Sequence, residues 1–298
     1  MSGKVLVSGS SGPIGKALLP ALRERGYQST QLVRHPAHSA DQIEWNPAQP
    51  VNADSVSGFD AVVHLAGESI VGRWSAAKKT AIRDSRVLGT RHLAEALAKA
   101  PKLPRILISA SAIGYYGDRG EELLREDSAP GQGFLAEVCQ QWEAAATLAA
   151  QAGIRVVHLR IGMVLSPAGG ALAAMLTPFR LGLGGRIGSG RQWWSWIDVH
   201  DLVNAILHAI ESESLSGPVN AVSRNPVTNA EFTHALAKPL SRPAVFPLPA
   251  FAARLAMGQM ADELLLASQR VEPTRLLASG FQFRYPDLAA SLRANLAK

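Results

Sequence analysis

Hydrophobic positions in this chain fall into two alternating textures. Short runs such as Lys4-Val5-Leu6-Val7-Ser8 and Ala61-Val62-Val63-His64-Leu65 are apolar at nearly every position, as strands covered on both faces are. Between them, Lys16 to Arg25 sets Ala17, Leu18, Ala21 and Leu22 at helical spacing and stops at Gly26, after which Ser29 to Val33 reads as a second strand. Further strands are predicted at Ala61–Leu65, Arg105–Ser109 and Arg155–Arg160, with helices over Ala76–Ala98 and Leu135–Gln151. Strands alternating with long helices predict an α/β fold with a doubly wound parallel sheet. From about Arg224 the texture changes. Asn225 to Phe232 reads as a capped helix start, and Pro239, Pro243, Pro247 and Pro249 punctuate the chain beyond it. We therefore expect a nucleotide-binding domain over 1–223, with segment 162–200 on its substrate side, and a small, mainly helical C-terminal lobe over 224–298.

The first strand breaks into Gly9-Ser10-Ser11-Gly12-Pro13-Ile14-Gly15, whose glycines are spaced three apart, and then becomes helical. A pyrophosphate can lie on the backbone N–H groups at a helix N-terminus only where no side chain blocks its approach. The context of strand, glycine loop and helix makes the sheet Rossmann-type and a dinucleotide its expected guest. The end of the next strand reads the adenosine ribose, an acidic residue suiting NAD and a basic one the 2′-phosphate of NADP. Arg34 stands there, nineteen positions past Gly15, and no Asp or Glu occurs between Glu24 and Asp41. NADP(H) is the expected cofactor, the alternative being that Arg34 is a solvated loop charge.

With 47% hydrophobic content, 298 residues can bury a sizeable core. Net charge is +6, but Lys and Arg are scattered, so nucleic acid is not an expected partner. The single cysteine, Cys139, rules out an intramolecular disulfide and a cysteine-built metal site. With no signal-peptide pattern, a reducing, cytoplasmic setting is expected. The eight histidines show neither His-x-His nor His-x-x-x-His spacing, so no metal is expected. The richest apolar stretch, Gly169 to Gly185, is interrupted by Pro178 and Arg180 and falls short of the roughly 18 residues of a membrane span. No membrane partner is expected.

Several motifs together resemble an extended short-chain dehydrogenase/reductase of the nucleotide-sugar epimerase type. The glycine loop matches that group's Gly-x-x-Gly-x-x-Gly pattern and His64-Leu65-Ala66-Gly67 its segment against the cofactor, while Arg86-Val87-Leu88-Gly89-Thr90 falls where Asn-x-x-Gly-Thr is usual. More specifically, the chain is similar to atypical epimerase-family proteins that end in a short domain of unknown function. The matching segments are Arg73-Trp74 with Ser85-Arg86, Ser109 to Gly117, Leu165 to Leu172, Gly188 to Ile197, Asn225 to Phe232 and Ser268 to Val271. The resemblance implies cofactor contacts from Gly9, Ser10, Ser11, Gly12, Pro13, Ile14 and Gly15, from Val33 and Arg34, from Leu65, Ala66, Gly67 and Glu68, and from Arg86 and Arg160. Extended relatives often pair through two helices, so a homodimer is admitted but not required.

The group usually carries Tyr-x-x-x-Lys, the tyrosine moving a proton and the lysine lowering its pKa. Here that segment reads Phe134-Leu135-Ala136-Glu137-Val138, and both groups are missing. Ser109, Ser111, Tyr115 and Tyr116 are the nearest replacements, since they lie at or just past the strand expected to end at Ser109; the alternative is that the tyrosines pack and the serines cap. Glu68 is a further acid or base candidate. Arg86 is expected to hold a diphosphate or an anionic substrate, against a surface ion pair with Asp84 or Glu95. Arg191, Gln192, Trp193 and Trp196 are expected to line a substrate pocket, against a packed aromatic cluster. Relatives often have histidine where Asp198 stands, so no role is assigned there. The sequence supports three readings: an NADP(H)-dependent oxidoreductase or epimerase-like enzyme on a small carbonyl, alcohol or sugar-like substrate; an NADP-binding regulator or sensor without turnover; and an interaction protein using the Trp193–Trp196 surface.

Overall fold

The computed structural model describes residues 3–296. The chain begins with β1 (Lys4–Ser8), α1 (Pro13–Glu24), β2 (Gln28–Val33), β3 (Gln42–Glu44), β4 (Ala61–His64), α2 (Ala76–Lys99) and β5 (Ile106–Ala112). It continues through β6 (Leu123–Leu124), α3 (Phe134–Ala144), α4 (Thr147–Gln151), β7 (Arg155–Ile161), β8 (Met163–Leu165), α5 (Gly170–Arg180), β9 (Trp193–Trp194), β10 (Trp196–Asp198), α6 (Val199–Glu211) and β11 (Gly217–Ala221). The remainder is β12 (Val227–Thr228), α7 (Asn229–Leu240), α8 (Ala250–Met257), a π-helical turn at Ala261–Leu266, β13 (Arg270–Val271), α9 (Thr274–Ala278) and α10 (Leu288–Leu296).

Seven strands form one parallel sheet in the order β11-β7-β5-β4-β1-β2-β3. This is a Rossmann-type α/β fold, and the strand order reverses between β1 and β4, the point at which open parallel sheets place a ligand. Period-two alternation explains the two-sided core. Val5 and Val7 face the cluster built with α1 and α6, whereas Leu6 faces the cluster built with α2. No helix among the described residues is long and apolar enough to cross a membrane.

Two sequence expectations change and one strand is new. The strand expected to end at Ser109 runs on to Ala112, because β7 pairs with it through Ala112↔Ile161. The helix expected over Leu135–Gln151 breaks between α3 and α4, where the chain turns and buries Ala146 and Ala149 against the α2 cluster. β11, Gly-Pro-Val-Asn-Ala, lacks a strand's residue preferences and forms because β7 offers it an open edge.

The C-terminal lobe is laced into the sheet domain. β13 pairs with β6, β12 with β9, and α10 packs on α7. The buried Asp198 caps α6 through the His200 N–H at 2.8 Å and also accepts from Ser291 Oγ at 2.5 Å and Asn295 Nδ2 at 2.7 Å. A residue left without a role by its sequence thus ties α6 to α10.

Candidate cofactor and active site

The chain leaves β1 and turns through Gly9 with φ +72°. A Cβ on Gly9 would lie 2.7 Å from the Leu65 carbonyl carbon, and one on Gly15 2.5 Å from Gly9 O, so the protein's own backbone requires both glycines. At Gly12 a Cβ would meet only Gly9 O, at 3.4 Å. Nothing within the fold crowds Gly12, and its backbone stands open to approach. Gly12 caps α1 with no side-chain hydrogen bond, and Pro13 opens the helix. Ser10 is buried, Ser11 exposed, and Ile14 packs on the core below.

A second helix start meets the first. A Cβ on Gly169 would stand 2.7 Å from Pro13 Cγ, so the N-terminus of α5, also without a side-chain cap, lies against that of α1. Two dipole-positive ends face one locality. The sequence signal was the Gly169-Gly170 pair, which carries no phosphate motif of its own.

At the end of β2, Val33 is buried and Arg34 exposed, and among the described residues Arg34 pairs with no carboxylate. The rings of His35 and His38, next in the chain, stack at 5.2 Å, with His35 Nδ1 2.8 Å from Pro36 O. At the end of β4, Leu65 donates its N–H to Ser8 O, and the Ala66 N–H donates to Ser8 Oγ at 3.3 Å. Ser8 Oγ also lies 2.6 Å from His64 Nδ1, His64 Nε2 lies 3.0 Å from Thr90 Oγ1, and Trp142 Nε1 donates to Thr90 at 2.9 Å. Burial holds the His64 pKa down to about 4, so the imidazole is a neutral brace between β1, β4, α2 and α3.

Glu68 accepts from Lys78 Nζ at 2.7 Å, and that hydrogen bond, with the nearby Arg34 and Arg86 charges, holds its carboxyl below the usual range. Arg86 Nη1 donates to Glu68 O at 2.9 Å and Ile82 O at 3.1 Å, and its guanidinium lies 5.1 Å from the Trp142 ring centroid. It occupies the space a Gly67 side chain would take, since a Cβ there would come within 3.2 Å of Arg86 Cζ. The surface ion pair with Asp84 or Glu95 is not made; Asp84 pairs with Arg83 at 2.9 Å. Burial lowers the Arg86 pKa, and among the described residues no carboxylate bonds it. The Glu68 carboxylate is near enough to favour the Arg86 charge but does not bond it.

Three of the four proton-transfer candidates are closed off. Ser109 and Ser111 lie inside β5 rather than beyond it; Ser109 is fully buried, and Ser111 Oγ donates to Glu143 at 2.7 Å. Tyr116 is fully buried, its hydroxyl donating to Asn220 Oδ1 at 2.7 Å and accepting from Arg160 Nη1 at 2.9 Å; burial raises its pKa. Tyr115 alone is partly open, and among the described residues its hydroxyl makes no hydrogen bond. Arg160 is likewise corrected from cofactor ligand to structural clamp. It holds Glu143 in a two-point pair at 2.8 and 2.9 Å, donates to Glu126 O, and stacks 3.5 Å from the Tyr115 ring centroid. Burial opposes its charge, but Glu143 and Tyr116 outweigh burial and raise its pKa.

The proposed substrate wall also divides. Trp196 is fully buried with Nε1 on Asn225 O, and Gln192 Nε2 donates to Ile187 O and Leu265 O at 2.9 and 3.0 Å. Both are packing residues. Arg191 is exposed, and Trp193 is half-buried, with Nε1 donating to Glu121 at 2.7 Å and Arg270 stacked 4.5 Å from its ring centroid.

Where the dehydrogenase tyrosine would stand, Phe134 meets Trp74 edge-on at 5.3 Å, with Lys79 Nζ 5.3 Å from its ring centroid. Val138 is buried. Sequence reasoning missed Glu263, whose carboxylate accepts the backbone N–H groups of Phe134 at 3.1 Å and Leu135 at 2.7 Å. No spacing rule links residues so far apart in the chain.

Residues 5–221 match the family model described as NAD dependent epimerase/dehydratase family, and residues 248–294 match a domain of unknown function, DUF1731. An epimerase family protein of Mycobacterium leprae is 43% identical over 290 residues, covering 97% of this chain and 94% of that protein. The crystal structure of human epimerase family protein SDR39U1 (isoform 2) with NADPH superposes with a TM-score of 0.90 at 37% identity, covering 98% of each chain. That of a nucleoside-diphosphate sugar epimerase from Corynebacterium glutamicum gives 0.83 at 40% identity, covering 99% of this chain and 58% of the other. The chain belongs to the NAD dependent epimerase/dehydratase family.

Proposed function

We propose that the protein is an NADP(H)-binding oxidoreductase or epimerase-like enzyme acting on a small carbonyl, alcohol or sugar-like substrate in the cytoplasm. The carrying observation is the pair of uncapped helix starts at Gly12 and Gly169 combined with the unpaired Arg34 at the end of β2. The human relative solved with NADPH supports the choice of cofactor. Gly9, Gly12 and Gly15 let the backbone approach the pyrophosphate, Arg34 takes the 2′-phosphate, and Leu65 to Gly67 floor the crevice. Bound there, a nicotinamide supplies a hydride donor or acceptor. Arg86 offers its unpaired charge to an anionic oxygen of cofactor or substrate. Tyr115 holds the proton that Phe134 cannot, and Phe134, Trp74 and the docked C-terminal lobe exclude water.

The loss of both tyrosine and lysine from α3 favours a second reading, a cofactor-binding sensor without turnover. Incubation with NADPH deuterated at C4 and a panel of small carbonyl compounds separates the two. Deuterium appearing in a product supports the enzyme; tight binding with no label transfer across the panel supports the sensor.

A further inference from the structure

Beyond the cofactor crevice, two loops run side by side. Phe246 N–H donates to Gly184 O at 3.1 Å, Leu248 N–H donates to Arg186 O at 2.9 Å, and Ile187 bridges Leu248 in parallel. The backbones close tightly at Gly185, where a side chain would overlap the Phe246 carbonyl. Pro243, Pro247 and Pro249 stiffen the second loop. Such a ribbon presents its side chains in a fixed arrangement, and, beside the exposed Arg186 and Arg242, it and the end of α5 leading into it expose large apolar ones: Leu181 is 69% exposed, Leu183 58%, Val245 69% and Phe246 57%. Large hydrophobics are costly to leave in water, and a contiguous group of them marks a contact surface.

The flank of this ribbon is a groove of about 720 Å³ into which Val245 also faces, lined by Arg186, His234, Lys238 and Arg242 and by no acidic side chain. Among the described residues Arg186, Lys238 and Arg242 form no ion pair. The surface therefore sets protruding aliphatic and aromatic tips beside uncompensated positive charge. A second copy docking through the same face in a two-fold pair would bring like charges together, which disfavours a self-contact. Apolar tips bordered by Lys and Arg suit the boundary of an anionic bilayer, where the tips enter the acyl edge and the cations meet lipid phosphates.

We propose that this face is a peripheral membrane-binding surface that seats Leu181, Leu183, Val245 and Phe246 in an anionic lipid surface held by Arg186, Lys238 and Arg242. The expectation of no membrane partner rested on the lack of a spanning segment, and a peripheral contact needs none.

Sedimentation of the full chain with vesicles of phosphatidylcholine alone, or with about one-third phosphatidylglycerol, tests it. The wild type should pellet with the anionic vesicles only. Roughly physiological salt, or Lys238→Glu with Arg242→Glu, should weaken partition about tenfold, and Val245→Ser with Phe246→Ser should do likewise. NADPH affinity, read in parallel, should stay unchanged in all variants and certifies their fold. Absence of wild-type binding to anionic vesicles overturns the proposal, as does binding indifferent to both double variants. Equal competition by soluble polyglutamate, with no loss in the Val245/Phe246 variant, assigns the cations to an acidic polymer and also overturns it.

Discussion

The carboxylate of Glu263, in the π-helical turn of the C-terminal lobe, accepts the Leu135 N–H at 2.7 Å and so caps α3 from a different part of the chain. Gly133, with φ +106°, has no side chain to cap that helix itself. The lobe therefore completes the helix on which the dehydrogenase tyrosine and lysine would ordinarily stand. Replacing the cap should lower stability. We expect Glu263→Ala to cost about 1 kcal/mol and Glu263→Gln about half that, by urea denaturation. Equal stability of all three proteins would show that the cap carries no weight.

Tyr115 and Tyr116 should separate by role. Tyr116→Phe strands Asn220 Oδ1 in a buried site and should cost about 1–3 kcal/mol of stability while leaving NADPH affinity intact. Tyr115→Phe should leave stability within roughly 0.5 kcal/mol and abolish any hydride-transfer activity that is found. Thermal melts and label transfer on the two variants give the comparison. The reverse pattern would return Tyr116 to the chemistry.

His64 gives the fold a pH dependence. Its imidazole titrates near 6.5 when unfolded and near 4 when folded, so the unfolded chain takes up the proton first. Stability from this group is full above pH 6.5, falls by about 3 kcal/mol as pH drops to about 4, and falls no further below that. In His64→Asn the drop in urea midpoint between neutral pH and about pH 4.5 should shrink correspondingly. An unchanged drop would place the dependence on other groups.

Cys139 should be inert. Burial pushes its thiol up to about 12, with Glu143 adding to the effect, so the native protein should resist thiol reagents at mildly alkaline pH and react on unfolding. Fast modification of the native protein would contradict this placement.

The parallel sheet was legible because burial on both faces writes itself into short apolar strands, and the glycine loop because backbone approach demands glycine at set positions. β5 was expected to end at Ser109, but β7 supplies the ladder that carries it to Ala112, which composition does not show. That misreading put Ser109 at the strand's end and Ser111 beyond it, at the crevice. Arg160 was expected at the cofactor from the resemblance alone, and its Glu143 partner on α3 is invisible to local pattern. Trp196 and Gln192 are buried in a strap, residues 191–197, from which only Arg191 and part of Trp193 reach the surface, a distinction of facing that local sequence does not encode.

In the proposed function, Arg34 selects NADP(H) over NAD(H). Calorimetric titration of wild type and Arg34→Ala with NADPH and NADH tests it most directly. The wild type is expected to bind NADPH at least about tenfold more tightly than NADH, through a charge-assisted contact with the 2′-phosphate, and Arg34→Ala to erase the difference. Equal affinity for the two nucleotides in the wild type, or an NADPH preference that survives in Arg34→Ala, would contradict it.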